Sequence, residues 1–156
     1  MTTKSDLSKT FLHLDDEGGA SPIALTRAFW SGQDSGRYAR VMGAFDFEGP
    51  GDLHSAMQEV HPEADEVIYL ASGAIDLLIE REGREERVAL EAGQMAIVPR
   101  GVWHRLEMRA PGRLVFVNSR AGMRSRRWNG SRSNESRSTR GKRPSGCEPG
   151  RGRSVR

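Results

Sequence analysis

Hydrophobic and polar residues alternate with a period of two along most of the chain between residues 25 and 117. Alternation of this kind is typical of half-buried β-strands. No segment of ten residues shows an equally convincing helical period. The pattern predicts strands at residues 40–47, 59–61, 66–70, 74–80, 87–91, 95–99, 102–108 and 113–117, with further strands near Phe11–Leu14 and Leu25.

The polar segment REGREE contains Gly83 and separates the predicted strands 74–80 and 87–91. Two strands joined by a short polar segment with glycine predict a β-hairpin. Glycine or proline also occupies most of the other gaps between strands. Many short strands separated by turns indicate an all-β sandwich, barrel or jelly roll.

Charge divides the chain into two parts. Residues 1–119 contain 12 Lys/Arg and 19 Asp/Glu, a net charge of −7, whereas residues 120–156 contain 12 Lys/Arg and 2 Asp/Glu, a net charge of +10. The acidic body argues against nucleic acid as its own ligand. The Arg-, Ser- and Gly-rich end lacks an apolar period, so residues 119–156 are predicted to be disordered.

Three interpretations of this basic tail stay open: an inert extension, an out-of-frame continuation, or a nucleic-acid-binding arm. We favour the first two. The only cysteine, Cys147, excludes an intrachain disulfide. The first residues lack the apolar core of a signal peptide, and no apolar run approaches the roughly 20 residues that a membrane helix needs. We therefore expect a cytoplasmic protein that does not bind membranes.

Four titratable side chains are predicted to converge. Glu59 and His61 are two residues apart and would share one face of a strand. Glu66 has the parity of the core residues that follow it, and His104 has the parity of Leu106. Carboxylates rarely face a core without a partner, and a divalent metal is a suitable one. Alternatively, the histidines are hydrogen-bonded without metal and Glu59 is a surface acid.

The spacing around His104 resembles the second sequence motif of the cupin family, in which Gly is followed by Pro-x-Gly and then His. Gly93, Pro99, Gly101 and His104 match every defining position. The chain departs from that motif only at Met108, where the family usually has Asn.

The first cupin motif is also recognisable. His61, Glu66 and Gly73 match it, whereas Glu59 stands in place of its first His and Leu53 in place of its leading Gly. The resemblance covers residues 40–118. It implies an all-β cupin fold, a double-stranded β-helix or jelly-roll barrel.

Under this resemblance we place the barrel at residues 20–118, an N-terminal extension with one strand at 1–19, and the disordered tail at 119–156. The resemblance also implies a homodimer. It maps the four metal-ligand positions to Glu59, His61, Glu66 and His104.

Two imidazoles with two carboxylates form a hard donor set that favours Fe(II) or Mn(II), with Zn(II) as an alternative. We expect a metal-dependent enzyme of the dioxygenase or isomerase type that acts on a small polar molecule. The alternative is a non-catalytic cupin that binds or senses a small ligand. Arg100 lies in the Pro-x-Gly turn, where it would either contact an anionic ligand or remain a solvated rim charge.

Overall fold

The structure is a computed structural model that describes residues 4–130. These residues form nine strands, a one-turn helix α1 (Arg27–Trp30) and a short 3-10 helix (Ser35–Arg37). The strands are β1 (Phe11–Leu14), β2 (Ala20–Ile23), β3 (Arg40–Phe47), β4 (Met57–Val60), β5 (Glu66–Arg81), β6 (Arg84–Glu91), β7 (Met95–Val98), β8 (His104–Asn118) and β9 (Arg124–Arg127).

All strand pairs are antiparallel, and one curled sheet includes every strand. Its longest path runs β2-β1-β3-β8-β4-β9. The two long strands β5 and β8 pair with each other, β5 also pairs with β6 and β7, and β8 also pairs with β3 and β4. The predicted all-β architecture is therefore confirmed.

The two longest strands each combine two strands that the sequence pattern predicts separately. Residues 66–70 and 74–80 are both parts of β5, which bends at Gly73. Gly73 has φ of 84°, and a Cβ there would lie 2.4 Å from the carbonyl oxygen of Pro111 in β8. Glycine tolerates this approach, so β5 continues past Gly73, although its pairing with β8 shifts register on both sides of this residue.

The core occupies the inside of the curled sheet. Strand β5 supplies much of it, and Ile75 and Leu77 are fully buried there. A smaller cluster of Phe11, Ile23, Phe29 and Val41 lies at the N-terminal end. Part of this smaller cluster comes from α1, whose single turn buries Phe29.

The strand predicted near Leu25 is wrong. The side chain of Thr26 accepts a hydrogen bond from the backbone N–H of Phe29 at 3.3 Å, and this N-cap begins α1 instead. The predicted strand near Phe11–Leu14 and the hairpin around Gly83 are confirmed as β1 and as the pair β5–β6.

The prediction of disorder from residue 119 onward is wrong for residues up to Gly130. Strand β9 pairs with β4 along all four of its residues. The guanidinium of Arg105 lies 3.7 Å from the ring centre of Trp128, and Arg126 covers Trp103 at 4.1 Å. Cation–π contacts and backbone pairing compensate here for the lack of aliphatic residues. Residues 131–156, the rest of that prediction, lie outside the described residues.

Within residues 4–130, no helix is long and apolar enough to cross a membrane.

Candidate metal centre

Three strands bring His61, Glu66 and His104 together. His61 directly follows β4, Glu66 begins β5 and His104 begins β8. In the sheet register, His104 lies opposite Glu59 of β4 and Ile79 of β5. One ligand atom from each member of the triad lies within 4.8 Å of the other two, and all three side chains are buried. The predicted convergence of these three residues is confirmed.

The carboxylate of Glu66 lies between the two imidazoles. Its Oε2 atom is 2.7 Å from Nε2 of His104 and 3.6 Å from Nε2 of His61. Neither pair has hydrogen-bond geometry, and Oε2 of Glu66 and Nε2 of His61 are buried without a hydrogen-bond partner among the described residues. Buried polar atoms usually have a partner. These two atoms therefore point to a group that binds between them, and their donor types fit a divalent metal.

Backbone carbonyls set the orientation of both imidazoles. Nδ1 of His61 donates to the carbonyl oxygen of Ser119 at 2.8 Å, and Nδ1 of His104 donates to that of Val102 at 3.2 Å. With the proton on Nδ1, Nε2 of each ring carries the lone pair that a metal requires. A carbonyl behind a metal-binding histidine is a common outer-shell arrangement.

Asn118 completes the support of Glu66. Its side-chain amide donates to Oε1 of Glu66 at 2.9 Å, which leaves Oε2 free to face the histidines. Sequence reasoning missed both Asn118 and Ser119, because they end a strand outside the two motifs. The pair Asn118–Glu66 spans β8 and β5, so only the register of the two strands reveals it.

The pKa of Glu66 and the pKa of His104 shift in opposite directions. Burial acts to raise the pKa of Glu66, but the two histidines and Asn118 outweigh it and hold this pKa below its usual value. Burial acts to lower the pKa of His104, but the neighbouring Glu66 carboxylate raises it above its usual value. The pair therefore favours a charged carboxylate in contact with a protonated His104 when no metal competes for the site.

Residues 49–118 match the family model for the cupin domain. This segment is a cupin domain. The match begins nine residues later than the sequence resemblance at 40–118 and contains all four predicted ligand positions. The strands β1 to β3 and β9 extend the sheet on either side of the matched segment.

The cupin domain is similar to several solved structures. A cupin-2 domain protein from Shewanella frigidimarina is 19% identical, with a TM-score of 0.41 over 52% of this chain and 71% of that chain. Oxalate oxidase is 21% identical, with a TM-score of 0.44 over 55% of this chain and 45% of that chain. Hydroxypropylphosphonic acid epoxidase from S. wedmorenis, in complex with fosfomycin, is 17% identical, with a TM-score of 0.39 over 51% and 42%.

The match thus spans less than half the length of oxalate oxidase and of the epoxidase. No curated protein matches the sequence.

Glu59, the fourth predicted ligand, lies at the edge of the triad in the cupin domain. Its Oε2 atom is 3.8 Å from Nε2 of His61, and 36% of its side chain is exposed. The predicted shared strand face is not formed, because β4 ends at Val60, one residue before His61. Its role as a ligand stays a prediction, since it is more exposed than the three buried members of the cluster.

Arg100 does not reach the site. Its side chain is exposed and is not among the residues that line the cavity, although its backbone N–H donates to Oδ1 of Asp65 at 2.9 Å. Arg100 therefore lies outside the cavity wall, and its contact with an anionic ligand stays a prediction. This hydrogen bond makes Asp65 a cap of the turn that contains Arg100.

A cavity of about 720 Å³ opens beside the metal cluster. Its wall includes eight charged or titratable residues, namely Asp46, Asp52, His54, Glu59, Glu66, His104, Arg105 and Arg120. Much of the remaining wall is apolar and comes from β1, α1, β3 and β8. Its aromatic side chains are Phe11, Trp30, Phe45 and Phe116. The volume is that of an ordinary small-molecule site.

Proposed function

We propose that this cupin domain binds a divalent metal ion through His61, Glu66 and His104, with Glu59 as the fourth ligand, and acts on a small molecule in the adjoining cavity. The reaction would be of the dioxygenase or isomerase type. One observation carries the proposal: Nε2 of His61 and Oε2 of Glu66 face each other at 3.6 Å, both buried and without hydrogen-bond partners among residues 4–130.

The donor set favours Fe(II) or Mn(II), with Zn(II) as the alternative. Neutral imidazoles and carboxylates suit these borderline and hard ions, and two carboxylates would balance the charge of a divalent ion. Such a metal supplies Lewis-acid chemistry or, if it is iron, an O₂ site.

The chain's own residues hold and shield this centre. Ser119 and Val102 fix the two imidazoles through their carbonyl oxygens, and Asn118 fixes one oxygen of Glu66. Buried neighbours such as Ile68 and Leu114 limit the access of water. Fixed ligands and a partly dry wall strengthen electrostatic interactions at the centre.

Elemental analysis and metal titration of the purified protein under reducing conditions test the proposal. We expect close to one first-row metal ion per chain, and loss of binding in His104→Ala. His54→Asn is the matched control, because it removes an exposed histidine outside the cluster and Asn tolerates the positive φ of 49° at that position. Protein that takes up no first-row metal contradicts the proposal, as does His104→Ala with unchanged affinity.

A non-catalytic binding or sensing role is the second candidate. It is favoured because two carboxylates on the cavity wall already have partners within the protein and are not free to act as general acids or bases. Asp46 is paired with Arg113, and Asp52 accepts hydrogen bonds from two backbone N–H groups. If Glu59 binds the metal, exposed His54 is the remaining acid–base candidate among the described wall residues. Measured turnover, such as O₂ consumption by the Fe(II)-loaded protein with candidate ligands, distinguishes an enzyme from a binding protein.

We also propose a homodimer formed through the outer face of β5 and β7. Tyr69, Met95 and Ile97 are 40%, 64% and 57% exposed, and the register places Tyr69 opposite Met95 and Ile97 opposite Val67. A contiguous apolar sheet face of this kind is typical of an interface. Analytical ultracentrifugation is expected to give a dimer that Ile97→Lys converts to a monomer. A monomeric unmodified protein would refute this assembly.

A further inference from the structure

Arg120 is a cationic side chain on the cavity wall that the metal centre does not use. It follows β8 by two residues, next to Ser119, and its guanidinium lies 4.3 Å from the ring centre of buried Phe29. One Nη2 hydrogen donates to the carbonyl oxygen of Phe29 at 3.1 Å. Its Nε is buried and has no hydrogen-bond partner within residues 4–130. The side chain is thus held in place, while most of its donors have no hydrogen-bond partner among the described residues.

Arg105, a second arginine on the same wall, differs from Arg120 because its guanidinium has ion-pair partners within the protein. Arg105 is buried, pairs with Glu85 at 3.0 Å and with Glu107 at 2.5 Å, and stacks on Trp128. By contrast, no carboxylate of the described residues forms an ion pair with Arg120, although Glu59 is close enough to act on it electrostatically. Arg105 is therefore structural, and Arg120 has an unbalanced charge beside the cavity.

Burial of an unbalanced cation is unfavourable unless an anion joins it. Burial lowers the pKa of Arg120, while Glu59 acts in the opposite direction. A planar guanidinium binds carboxylate or phosphate groups in a fixed, often bidentate geometry. Stacking on Phe29 pre-orients this group and reduces the entropy lost on binding.

The rest of the wall indicates the body of the ligand. Phe11, Trp30, Phe45 and Phe116 line it, and Phe11 contacts both Trp30 and Phe116 edge-to-face. Trp30 is 58% exposed although it lines a cavity, so it has apolar surface available for a ligand. Such walls bind apolar or aromatic groups, whereas the sequence alone predicts a small polar molecule.

We infer that the cavity binds a small molecule with an anionic head and an apolar, preferably aromatic, body, and that Arg120 binds the head. The inference rests on the proposed use of this cavity as the ligand site. Arg120, which lies outside the metal cluster, would then select anionic over neutral ligands.

Calorimetric titration with three probes tests this inference: phenylacetate, phenyl phosphate and the neutral phenylacetamide. We expect at least one anion to bind about tenfold or more tightly than the amide, as a charge-assisted hydrogen bond requires. Whichever anion binds more tightly identifies the head group. Arg120→Met is expected to abolish the preference, and Arg120→Lys to retain part of it.

Arg100→Met is the matched control, because Arg100 is an exposed arginine outside the cavity. The Arg100→Met protein should prefer the anions to the amide as strongly as the unmodified protein does. Melting temperatures of the variants verify that they are folded. Equal binding of the anions and the amide overturns the inference, as does a preference that survives in Arg120→Met or the absence of any anion binding.

The titrations are made with metal-free and with Mn(II)-loaded protein to separate this inference from the metal proposal. Arg120→Met should bind Mn(II) like the unmodified protein, since Arg120 is not a ligand. Anion binding that depends on Arg120 in a protein without metal affinity would refute the metal centre alone. Anion binding that depends on metal but not on Arg120 would refute the role of Arg120 alone.

Discussion

Strand β5 contains two buried carboxylates with different surroundings. Asp76 is 5% exposed and Glu66 is 6% exposed, so burial does not distinguish them. Asp76 is paired through one oxygen with Arg87 and through the other with Arg109, the latter at 3.1 Å. Glu66 has an amide on one oxygen, while its other oxygen faces two imidazoles without forming a hydrogen bond.

The two carboxylates differ in whether the protein supplies partners for both of their oxygen atoms. The ion pairs of Asp76 are complete within the protein, and Arg87 extends them to Glu107 at 3.3 Å. Such a network links β5, β6 and β8 and needs no ligand. At Glu66, the neighbouring groups are two imidazoles, which are titratable and are not permanent cations as the guanidinium groups of Arg87 and Arg109 are. Completeness of pairing, and not burial alone, therefore separates a structural carboxylate from a candidate ligand.

The largest expected effect comes from exchanging each carboxylate for its amide. Glu66→Gln is expected to lower metal affinity at least about a hundredfold, because a charged ligand is lost. Without metal, its melting temperature at about pH 6 should fall, because the lowered pKa of Glu66 means that the folded protein stabilises the charged carboxylate. Asp76→Asn should leave metal affinity unchanged and reduce the free energy of unfolding by about 1–2 kcal/mol.

Metal titration and urea unfolding of both variants provide the measurement. The estimate for Asp76 is modest because Arg87 and Arg109 are 55% and 37% exposed, so water can solvate them after the exchange. If Asp76→Asn weakened metal binding as much as Glu66→Gln does, the contrast between the two carboxylates would be lost.

The second prediction concerns the C-terminal strand β9, which pairs with β4 at one end of the sheet path. Removal of residues 120–156 is expected to reduce the free energy of unfolding by about 2 kcal/mol or more, because β4 loses its four-residue pairing with β9 and Arg105 loses the indole of Trp128. The loss should persist at high salt, since it includes backbone pairing as well as ion pairs.

Removal of residues 131–156 alone is the control and should leave the melting temperature nearly unchanged. Trp128→Ala in the full chain isolates the indole contact. A chain cut after Ser119 that melts like the full chain would mean that β9 contributes nothing to stability.

The sequence predicts strands well wherever burial alternates with period two. Arg40–Phe47 coincides with β3, and the parity of Glu66 with Ile68 and Leu70 correctly places all three on the core side. The motif spacing also brings His104 to the cluster. These features depend on local periodicity or on a fixed motif, both of which can be recognised in one sequence.

The remaining features depend on contacts between distant segments. Asn118 and Arg120 acquire their roles from strand register and from the packing of α1, which no local pattern encodes. The segment RSRR has no apolar period, yet it forms β9 because β4 has a free edge and Trp103 offers a ring surface. Composition predicts disorder there because it does not account for such a partner.

The third prediction uses the opposite pKa shifts of the Glu66–His104 pair. The raised pKa of His104 contributes stability that is present below its usual value of 6.5 and is lost as pH rises through the higher folded value. The lowered pKa of Glu66 contributes stability above its usual value of 4.5, which is lost as pH falls. For this pair, metal-free protein should be most stable between these two values.

Metal affinity should have the opposite slope on the alkaline side, because His104 must be neutral to bind. Between about pH 6.5 and pH 8, we therefore expect metal-free stability to fall while metal affinity rises. Urea unfolding in chelator and calorimetric metal titration measure the two slopes. His54→Asn should keep both, and parallel slopes would refute the pairing of Glu66 with His104.

The smallest expected effect concerns Glu59, which distinguishes a triad from a four-ligand site. Its carboxylate is 36% exposed and 3.8 Å from Nε2 of His61, so its contribution to binding is weakened by solvent. Glu59→Ala should reduce metal affinity about three- to tenfold, whereas Glu59→His should retain metal and shift the preference toward softer ions.

Glu63→Ala is the matched control, since this exposed acid lies in the same loop region outside the cluster. Calorimetric titration with Mn(II) and Zn(II) measures both quantities. Unchanged affinity in Glu59→Ala would show that three ligands suffice and would leave Glu59 free as the acid–base group beside the cavity.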